Sequence, residues 1–184
     1  MSSLTFITGN KGKVREMQEK MKKETVTIQQ KDLGYPEIQA DTLEEVIHFG
    51  YHYVKYHIEG PFVIEDAGLF IEALHGFPGV YSKYVYYSIG LEGILHLLQH
   101  QSNRKAVFRS VYAYGEAQEE PRLFIGECLG TITQEQRGTQ GFGYDPIFVP
   151  KGSTKTFAEM KTSEKNRYSH RGKALSHLLD FLKN

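Results

Sequence analysis

The chain has 184 residues, of which 40% are hydrophobic and 24% are charged, and its formal net charge is zero. This composition is typical of a folded protein, so we expect residues 1–184 to form one domain rather than a disordered chain. A protein that holds duplex DNA by bulk electrostatics is usually basic, and the zero net charge therefore disfavours that class.

Three further features indicate where the protein works. The single cysteine, Cys128, excludes an internal disulfide and a thiolate zinc cluster within one chain, which fits a reducing compartment. No apolar run approaches the roughly 20 residues that span a bilayer. The apolar part of the N-terminal segment is too short for a signal peptide. We expect a soluble cytoplasmic protein with no membrane or nucleic-acid partner.

The apolar pattern predicts an alternation of strands and helices. In chain order it predicts a strand over 4–8, a helix over 13–24, a strand over 25–30, a helix behind a capping box at 42–45, and a strand over 62–68. It continues with an extension or hairpin partner over 69–74, a turn at 76–79, a helix over 90–100, a hairpin of 105–114 and 122–133, a strand over 147–149 and a helix over 162–182. This mixture predicts an α/β fold with a mixed sheet.

The segment TGNKGK joins the first predicted strand to the first predicted helix. Backbone N–H groups at a helix N-terminus attract anions. Gly9 and Gly12 permit close backbone approach, while Lys11 and Lys13 add positive charge. The segment is therefore either a phosphate cradle or a simple strand-to-helix turn with solvated lysines. Its spacing does not match a Walker P-loop.

Acidic side chains follow the buried strand that begins at Phe62. Glu65 and Asp66 stand at its end, where ligands gather in open α/β sheets. Adjacent strand residues point to opposite faces, so we expect one of the two to bind a ligand and the other to anchor the scaffold. Glu37, after the second strand, is a third acid, and Glu37 with Asp66 would suffice for magnesium when phosphates and water complete the shell. The alternative is surface acids that merely end a strand.

The segment GFGYDPIFVP, residues 141–150, concentrates two aromatic rings and a carboxylate before a short strand. It is either a tight turn with buried aromatics or a wall that binds a base. In the second case Phe142 or Tyr144 stacks on the ring, and Asp145 accepts a hydrogen bond from a ring N–H. It is not a dinucleotide fingerprint, because a proline replaces the third glycine and a strand follows.

The start of the last predicted helix, Lys165 to Lys173, is basic and rich in hydrogen-bond donors. A helix N-terminus disfavours cations, so this local conflict indicates a function. The alternative is a solvated basic face in which His170 is a structural histidine.

Four segments in this order, TGNKGK, IEDAGL, FGYDPIF and EKNRYSHR, resemble the inosine triphosphate pyrophosphatase family, as do FPGVYSKY and TFAEM. The resemblance covers essentially the whole chain. It implies a long mixed sheet flanked by helices that form two lobes around a central substrate cleft, and a homodimer. It also implies magnesium-dependent hydrolysis of the non-standard purine nucleoside triphosphates ITP, dITP and XTP to the nucleoside monophosphate and pyrophosphate.

The resemblance also implies roles for individual residues. Those implied to hold the triphosphate and its surroundings are Thr8, Gly9, Asn10, Lys11, Gly12, Lys13, Ala67 and Lys83. Magnesium would be held by Glu37 and Asp66, and Asp66 would be the catalytic base that activates water. Those implied to hold the base are Phe142, Gly143, Tyr144, Asp145, Lys165, His170 and Arg171.

The donors of Lys165 and Arg171 suit the keto oxygen at purine position 6 and leave adenine, which carries an amino group there, poorly paired. One departure concerns the second helix, where many family members have a Lys-Ala pair that contacts the substrate. This chain has Gly50-Tyr51 instead, and Lys55 lies too far along the helix to replace that lysine.

Three alternative functions remain open from the sequence. The first is a related pyrophosphatase that prefers modified pyrimidine or methylated nucleotides. The second is a nucleotide sensor that binds without hydrolysis, against which the carboxylates Glu37 and Asp66 argue. The third is a single-strand nucleic-acid binder that uses the 12 tyrosines as stacking platforms, against which the zero net charge argues.

Overall fold

The computed structural model describes residues 3–22, 24, 26–116 and 119–183. One sheet is formed by β1 (Ser3–Ile7), β2 (Thr27–Lys31), β3 (Phe62–Ile71), β4 (Pro78–Gly79), β5 (Lys105–Gly115), β6 (Arg122–Ile132) and β7 (Phe148–Pro150). The α-helices of the described chain are α1 (Lys11–Met21), α2 (Leu43–Val54), α3 (Ser82–Leu97), α4 (Thr162–Tyr168) and α5 (His170–Leu182).

The sheet has the strand order β2-β1-β3-β5-β6-β7, and β4 pairs with β3. β1 is parallel to β2 and to β3, whereas the pairs formed by β3, β4, β5, β6 and β7 are antiparallel. The predicted α/β fold with a long mixed sheet flanked by helices is therefore confirmed. β3 is the 10-residue strand that links the parallel and antiparallel parts.

Successive side chains of each strand point to opposite faces of this sheet, and helices pack against both faces. On one face Phe6 and Val63 pack with α1 and α5, and on the other Ile7 and Ile64 pack with α2. Side chains alternate between the two faces along a strand. The register pairs Phe6 with Val63 and Ile7 with Ile64 on neighbouring strands, so each pair shares a face. A third cluster, around Phe108, fills the space under α3 and the segments near β7. None of the helices in the described ranges is long and apolar enough to cross a membrane.

Three helix boundaries differ from the predictions. α1 begins at Lys11, two residues early, because Asn10 caps it. The predicted helix over 90–100 is the second half of α3, which begins at Ser82 and is interrupted at Gly90, where φ is 64°. The predicted helix over 162–182 is divided at Ser169, whose extended backbone ends α4 and whose hydroxyl caps α5 by accepting from the Gly172 N–H.

The sequence allows the segment after Gly68 to be either an extension of the strand or its hairpin partner. It extends β3 to Ile71 and then forms a short 3-10 turn. The hairpin predicted for residues 105–133 is confirmed as β5 and β6, although residues 117 and 118 of its loop lie outside the described residues. The late strand begins one residue later than predicted, at Phe148, because Asp145–Ile147 form a 3-10 turn.

Candidate active site

A cleft of about 750 Å³ lies at the C-terminal ends of β1 and β2 and beside the middle of β3. Most of the predicted site residues line it: Thr8, Gly9, Asn10, Lys13, Glu37, Asp66, Ala67, Lys83, Phe142, Gly143, Tyr144, Asp145, His170 and Arg171. The fold therefore brings together segments that are more than 100 residues apart in sequence. Lys11, Gly12 and Lys165 do not line the cleft.

The TGNKGK segment uses its backbone donors on itself. Asn10 Oδ1 accepts from the N–H groups of Gly12 at 2.8 Å and Lys13 at 3.2 Å, and the Asn10 N–H donates to Thr8 Oγ1. The expectation that these N–H groups are unpaired and ready for an anion is therefore wrong for Gly12 and Lys13. The sequence signal was present, since asparagine is among the preferred N-cap residues.

Glu65 and Asp66 separate as the alternation of a strand requires. Glu65 is buried and accepts from Ser110 Oγ at 2.6 Å and from Arg171 Nε at 3.0 Å. Its other oxygen lies 2.9 Å from Lys13 Nζ. Burial would raise the pKa of Glu65, but Arg171 and Lys13 outweigh burial and lower that pKa to about 2. Glu65 is thus the scaffold anchor, and Asp66 keeps part of its carboxylate exposed to the cleft.

Asp66 stands close to other negative groups. Burial raises its pKa to about 6; Glu65 and Glu37 add to this effect, while Lys13, 3.8 Å away, opposes it. Glu37 Oε1 accepts from Lys83 Nζ at 2.8 Å, and both of those side chains are largely exposed. The two carboxylates predicted to bind metal therefore line one cleft and repel each other, which is the electrostatic condition that a divalent cation relieves.

A chain of alternating charges runs behind the cleft. Lys165 Nζ lies 2.5 Å from Asp145 Oδ2 and 2.5 Å from Glu16 Oε1. Glu16 Oε2 lies 3.1 Å from Arg171 Nη1, and Arg171 leads on to Glu65. Burial would raise the pKa of Glu16, but the two cations outweigh it and lower that pKa. These five buried groups are paired with one another, as buried charges must be.

This pairing changes the interpretation of the two basic residues predicted to read the base. Lys165 is almost fully buried, and two of its three ammonium donors are directed at carboxylates. Arg171 lines the cleft, but its Nε and Nη1 donate to Glu65 and Glu16. Only its Nη2 lacks a hydrogen bond among the described residues. Direct contact with a ligand is thus geometrically open for Arg171 and obstructed for Lys165.

The two aromatic rings of GFGYDPIFVP have different environments. Tyr144 is buried in the core, and its hydroxyl donates to the Ser82 carbonyl at 2.8 Å. Phe142 is only half-buried and lies under the cations of Lys165, at 4.8 Å, and Arg171, at 5.0 Å. It also packs on the backbone of Gly12, where a Cβ would come within 2.3 Å of the ring. Phe142 is therefore the freer ring to face a ligand.

Asp145 is committed to the loop that carries Phe142. Its Oδ2 accepts from the Phe142 N–H at 2.8 Å as well as from Lys165. Burial raises its pKa, and Lys165 opposes that effect. The loop conformation is therefore fixed by a buried carboxylate, and the predicted acceptor for a ring N–H already has two protein donors.

His170 is the least satisfied polar group of the cleft. Its imidazole is buried and stacks on Phe108 with ring centres 4.5 Å apart. Neither ring nitrogen has a hydrogen-bond partner among the described residues. Burial, together with the positive charge of Arg171 and its basic neighbours, lowers its pKa well below the usual value, so the ring is neutral. His170 lines the cleft, and its two buried nitrogens without a protein partner call for a ligand or a water as their partner.

Glu16 and Tyr35 are not among the predicted site residues. Glu16 sits beside Met17 on the buried side of α1, and a charged residue in that position was the available signal. Tyr35 lines the cleft, and its ring fills the space beside Gly50, where a Cβ would lie 2.7 Å from it. A tyrosine therefore packs over Gly50, the position that the family resemblance aligns with a substrate-contacting lysine, and Lys83 is the lysine beside Glu37.

Comparison with known proteins matches this chain over almost its whole length. The sequence profile described as the Ham1 family matches residues 4–181. A Thermococcus kodakarensis protein named dITP/XTP pyrophosphatase is 53% identical over 180 residues, which cover 98% of this chain and 97% of that protein. A protein of the same name from Pyrococcus horikoshii is 54% identical over 97% of this chain and 95% of its own length.

Solved structures show the same fold. A HAM1 protein from Coxiella burnetii superimposes with a TM-score of 0.85 at 31% identity, covering 100% of this chain and 99% of that one. A dITP/XTP pyrophosphatase from Mycobacterium abscessus gives a TM-score of 0.73 at 28% identity over 96% and 98%. The family resemblance drawn from the sequence motifs is confirmed: the chain belongs to the Ham1 family.

Proposed function

We propose that this protein hydrolyses non-standard purine nucleoside triphosphates, dITP, ITP and XTP, to the nucleoside monophosphate and pyrophosphate. The observation that carries the proposal is one cleft with two unlike sides. The carboxylate side is Glu37, Asp66 and Lys83, and the aromatic side is Phe142 and His170. The dITP/XTP pyrophosphatases that share about half of its residues support the same substrate class.

The carboxylate side supplies the groups for hydrolysis. Glu37 and Asp66 are hard oxygen ligands that would hold Mg²⁺, and their mutual repulsion fits such a cation. When bound, the ion supplies charge neutralisation on the phosphates. Lys83 and Lys13 add positive charge at the same side of the cleft. Thr8, Gly9, Asn10 and Ala67 complete the surroundings of the triphosphate.

Asp66 is the proposed catalytic base. A water oxygen attacks the α-phosphorus, its proton passes to the Asp66 carboxylate, and the bond from the α-phosphorus to the bridging oxygen breaks to release pyrophosphate. Without a metal ion the pKa of Asp66 is raised to about 6, and Mg²⁺ bound beside it would keep the carboxylate ionised, as a base must be. Lys13, 2.9 Å from Glu65 and 3.8 Å from Asp66, holds the two carboxylates in place.

The aromatic side reads the base. Phe142 is the ring that stacks on the purine, worth roughly 1–3 kcal/mol in comparable sites. The neutral imidazole of His170 has one donor and one acceptor nitrogen, both unused by the described protein. Arg171 donates to the base from its Nη2 group, which has no hydrogen bond among the described residues. Lys165 and Asp145 do not contact the base in this proposal. They hold Phe142 and Arg171 in position. A ligand that leaves such buried groups unpaired is rejected strongly.

We also propose that residues 1–184 form one structural domain with two lobes. The protein is proposed to be a cytoplasmic homodimer without nucleic-acid or membrane partners. The zero net charge supports the absence of nucleic acid. Light scattering on the purified protein tests the dimer, for which the expected mass is twice the 21.1 kDa of one chain.

Pyrophosphate release tests the function directly. Equal concentrations of dITP, ITP, XTP, GTP and ATP are compared with Mg²⁺ present and with Mg²⁺ chelated. We expect pyrophosphate and the monophosphate as the products, a kcat/KM for dITP and XTP at least a hundredfold above that for ATP, and no turnover after chelation. Equal rates on all purines, or release of single phosphates, would contradict the proposal.

A further inference from the structure

Two histidines and a glutamate meet on the outside of α2. His48 and His52 are one helical turn apart, so their side chains share a face. Glu120, from the loop between β5 and β6, reaches the same point. None of the three residues lines the cleft, so the cluster is separate from the candidate active site.

The three ligand atoms form a nearly regular triangle. The two Nε2 atoms are 3.2 Å apart, and Glu120 Oε2 lies 3.2 Å from His52 Nε2 and 3.5 Å from His48 Nε2. A tetrahedral zinc ion with bonds of about 2.0–2.1 Å places its ligand atoms about 3.3 Å apart. The observed triangle therefore has the dimensions of one face of a zinc coordination tetrahedron.

Hydrogen bonds among the three residues alone cannot satisfy all three of these atoms. If both imidazoles donate from Nε2 to Glu120, two N–H groups face each other across 3.2 Å without a bond. If one imidazole donates to the other, the accepting nitrogen has no proton for Glu120. One cation at the centre satisfies all three atoms at once, and two imidazoles with a carboxylate are a donor set that zinc accepts.

Two described residues of the segment that carries Glu120, Glu116 and Glu119, contact α2 independently of the cluster. The buried Tyr51 of α2 donates from its hydroxyl to the Glu116 carbonyl at 2.8 Å. The space beside Gly115 is filled by that hydroxyl, where a Cβ would come within 2.2 Å. Glu116 and Glu119 add negative charge around Tyr51, which favours a cation nearby. The glutamate is thus presented to α2 by a preformed contact.

We propose that His48, His52 and Glu120 bind a divalent transition-metal ion of the zinc class, with water completing the shell. The ion clamps α2 to the β5–β6 loop and stabilises the fold, and it is distinct from the Mg²⁺ of the cleft.

Zinc titration of the chelator-stripped full chain tests the proposal, with Mg²⁺ in excess so that hard-oxygen sites are occupied. We expect one Zn²⁺ per chain by calorimetry, and an affinity at least tenfold lower in His48→Gln and His52→Gln. The matched controls are His57→Gln, just beyond the same helix, and Glu119→Gln, on the same loop; both keep the wild-type affinity. Glu120→Gln weakens binding.

Two further readouts guard against variants that fold poorly. Co²⁺ in the wild-type protein gives the visible absorption of a four-coordinate ion, and His52→Gln with unchanged circular dichroism does not. Zinc at 100 times the wild-type Kd raises the folded-to-unfolded ratio about 100-fold in the wild type and by no more than about 11-fold in His52→Gln. Absence of saturable zinc binding in the wild type, or wild-type affinity in both histidine variants, would overturn the proposal.

Discussion

The two sides of the cleft differ in how their charges are satisfied. Behind the aromatic side, Asp145, Lys165, Glu16 and Arg171 are buried and pair with one another at 2.5–3.1 Å. On the carboxylate side, Glu37 and Lys83 form a largely exposed pair, and Asp66 accepts from the Ala67 N–H at 2.8 Å while its nearest cation among the described residues, Lys13, is 3.8 Å away.

The difference separates two tasks. A buried, paired network holds one geometry, which is what the recognition of a base requires. An open pair of like-charged carboxylates is incomplete by itself, and a cation with a triphosphate completes it. We therefore expect changes on the carboxylate side to affect turnover, and changes in the buried network to affect folding and base selection.

The largest effect is expected for Asp66→Asn. Loss of the base lowers kcat by about 10²–10⁴-fold, because the attacking water loses its proton acceptor. Folding stability stays close to that of the wild type, and nucleotide binding is largely retained. Pyrophosphate release from dITP measures this, with the exposed Asp41→Asn as control. Near-normal turnover by Asp66→Asn would remove Asp66 from the mechanism.

The next effect concerns the centre of the buried network. Glu16→Gln leaves Lys165 and Arg171 short of negative charge in a buried setting, and we expect a loss of about 3–5 kcal/mol in the free energy of unfolding. Glu19→Gln is the matched control on the same helix, because its partner is the exposed Lys22 and such pairs contribute about 0–1 kcal/mol. Urea unfolding of both variants gives the comparison, and equal stability of the two would contradict the account.

The pH dependence of stability follows from Glu65. Its pKa is about 2 in the folded protein against 4.5 for the free group. The lowered pKa means that its contribution is fully present above pH 4.5 and is lost as the pH falls towards 2, on the order of 3 kcal/mol. Urea midpoints between pH 6 and pH 2 should therefore fall more steeply for the wild type than for Glu65→Gln. Parallel curves would show that the ion pairs of Glu65 do not lower its pKa.

A smaller effect is expected where α1 meets the aromatic side. In Gly12→Ala the new methyl overlaps the ring of Phe142, so the ring shifts and the protein loses about 1–3 kcal/mol of stability. The KM for dITP also rises, because the displaced ring no longer stacks well. Lys11→Ala, one residue away and outside the cleft lining, stays within about 0.5 kcal/mol. A Gly12→Ala protein with wild-type stability and KM would show that this contact is unimportant.

Much of the fold was predictable because its signals are local. The apolar runs of β1 and β3 and the capping box at Thr42 each appear within a short segment. The division at Ser169 was missed because helical periodicity continues across it, although serine is a good N-cap residue. Gly90 likewise interrupts α3 at one residue, but there through a positive φ.

Which residues belong to the site was predictable from the sequence, but which of them form ion pairs with one another was less so. The motifs identified most of the site residues that line the cleft: TGNKGK, FGYDPIF and EKNRYSHR lie where elements begin or end, and IEDAGL lies within β3 beside them. The partners of Lys165 and Arg171 were not predictable, because Glu16 lies about 150 residues away in sequence and only the fold brings them together. The donors expected for the base were therefore already engaged with protein carboxylates.

The most direct test of the two-sided cleft compares kcat/KM for dITP and dATP in the wild type, His170→Phe and Asp66→Asn. His170→Phe keeps the stack on Phe108 but removes both ring nitrogens. We predict that His170→Phe lowers the dITP/dATP ratio at least tenfold, whereas Asp66→Asn slows both substrates and leaves the ratio unchanged. An unchanged ratio in His170→Phe, or a changed one in Asp66→Asn, would contradict the separation of base selection from hydrolysis.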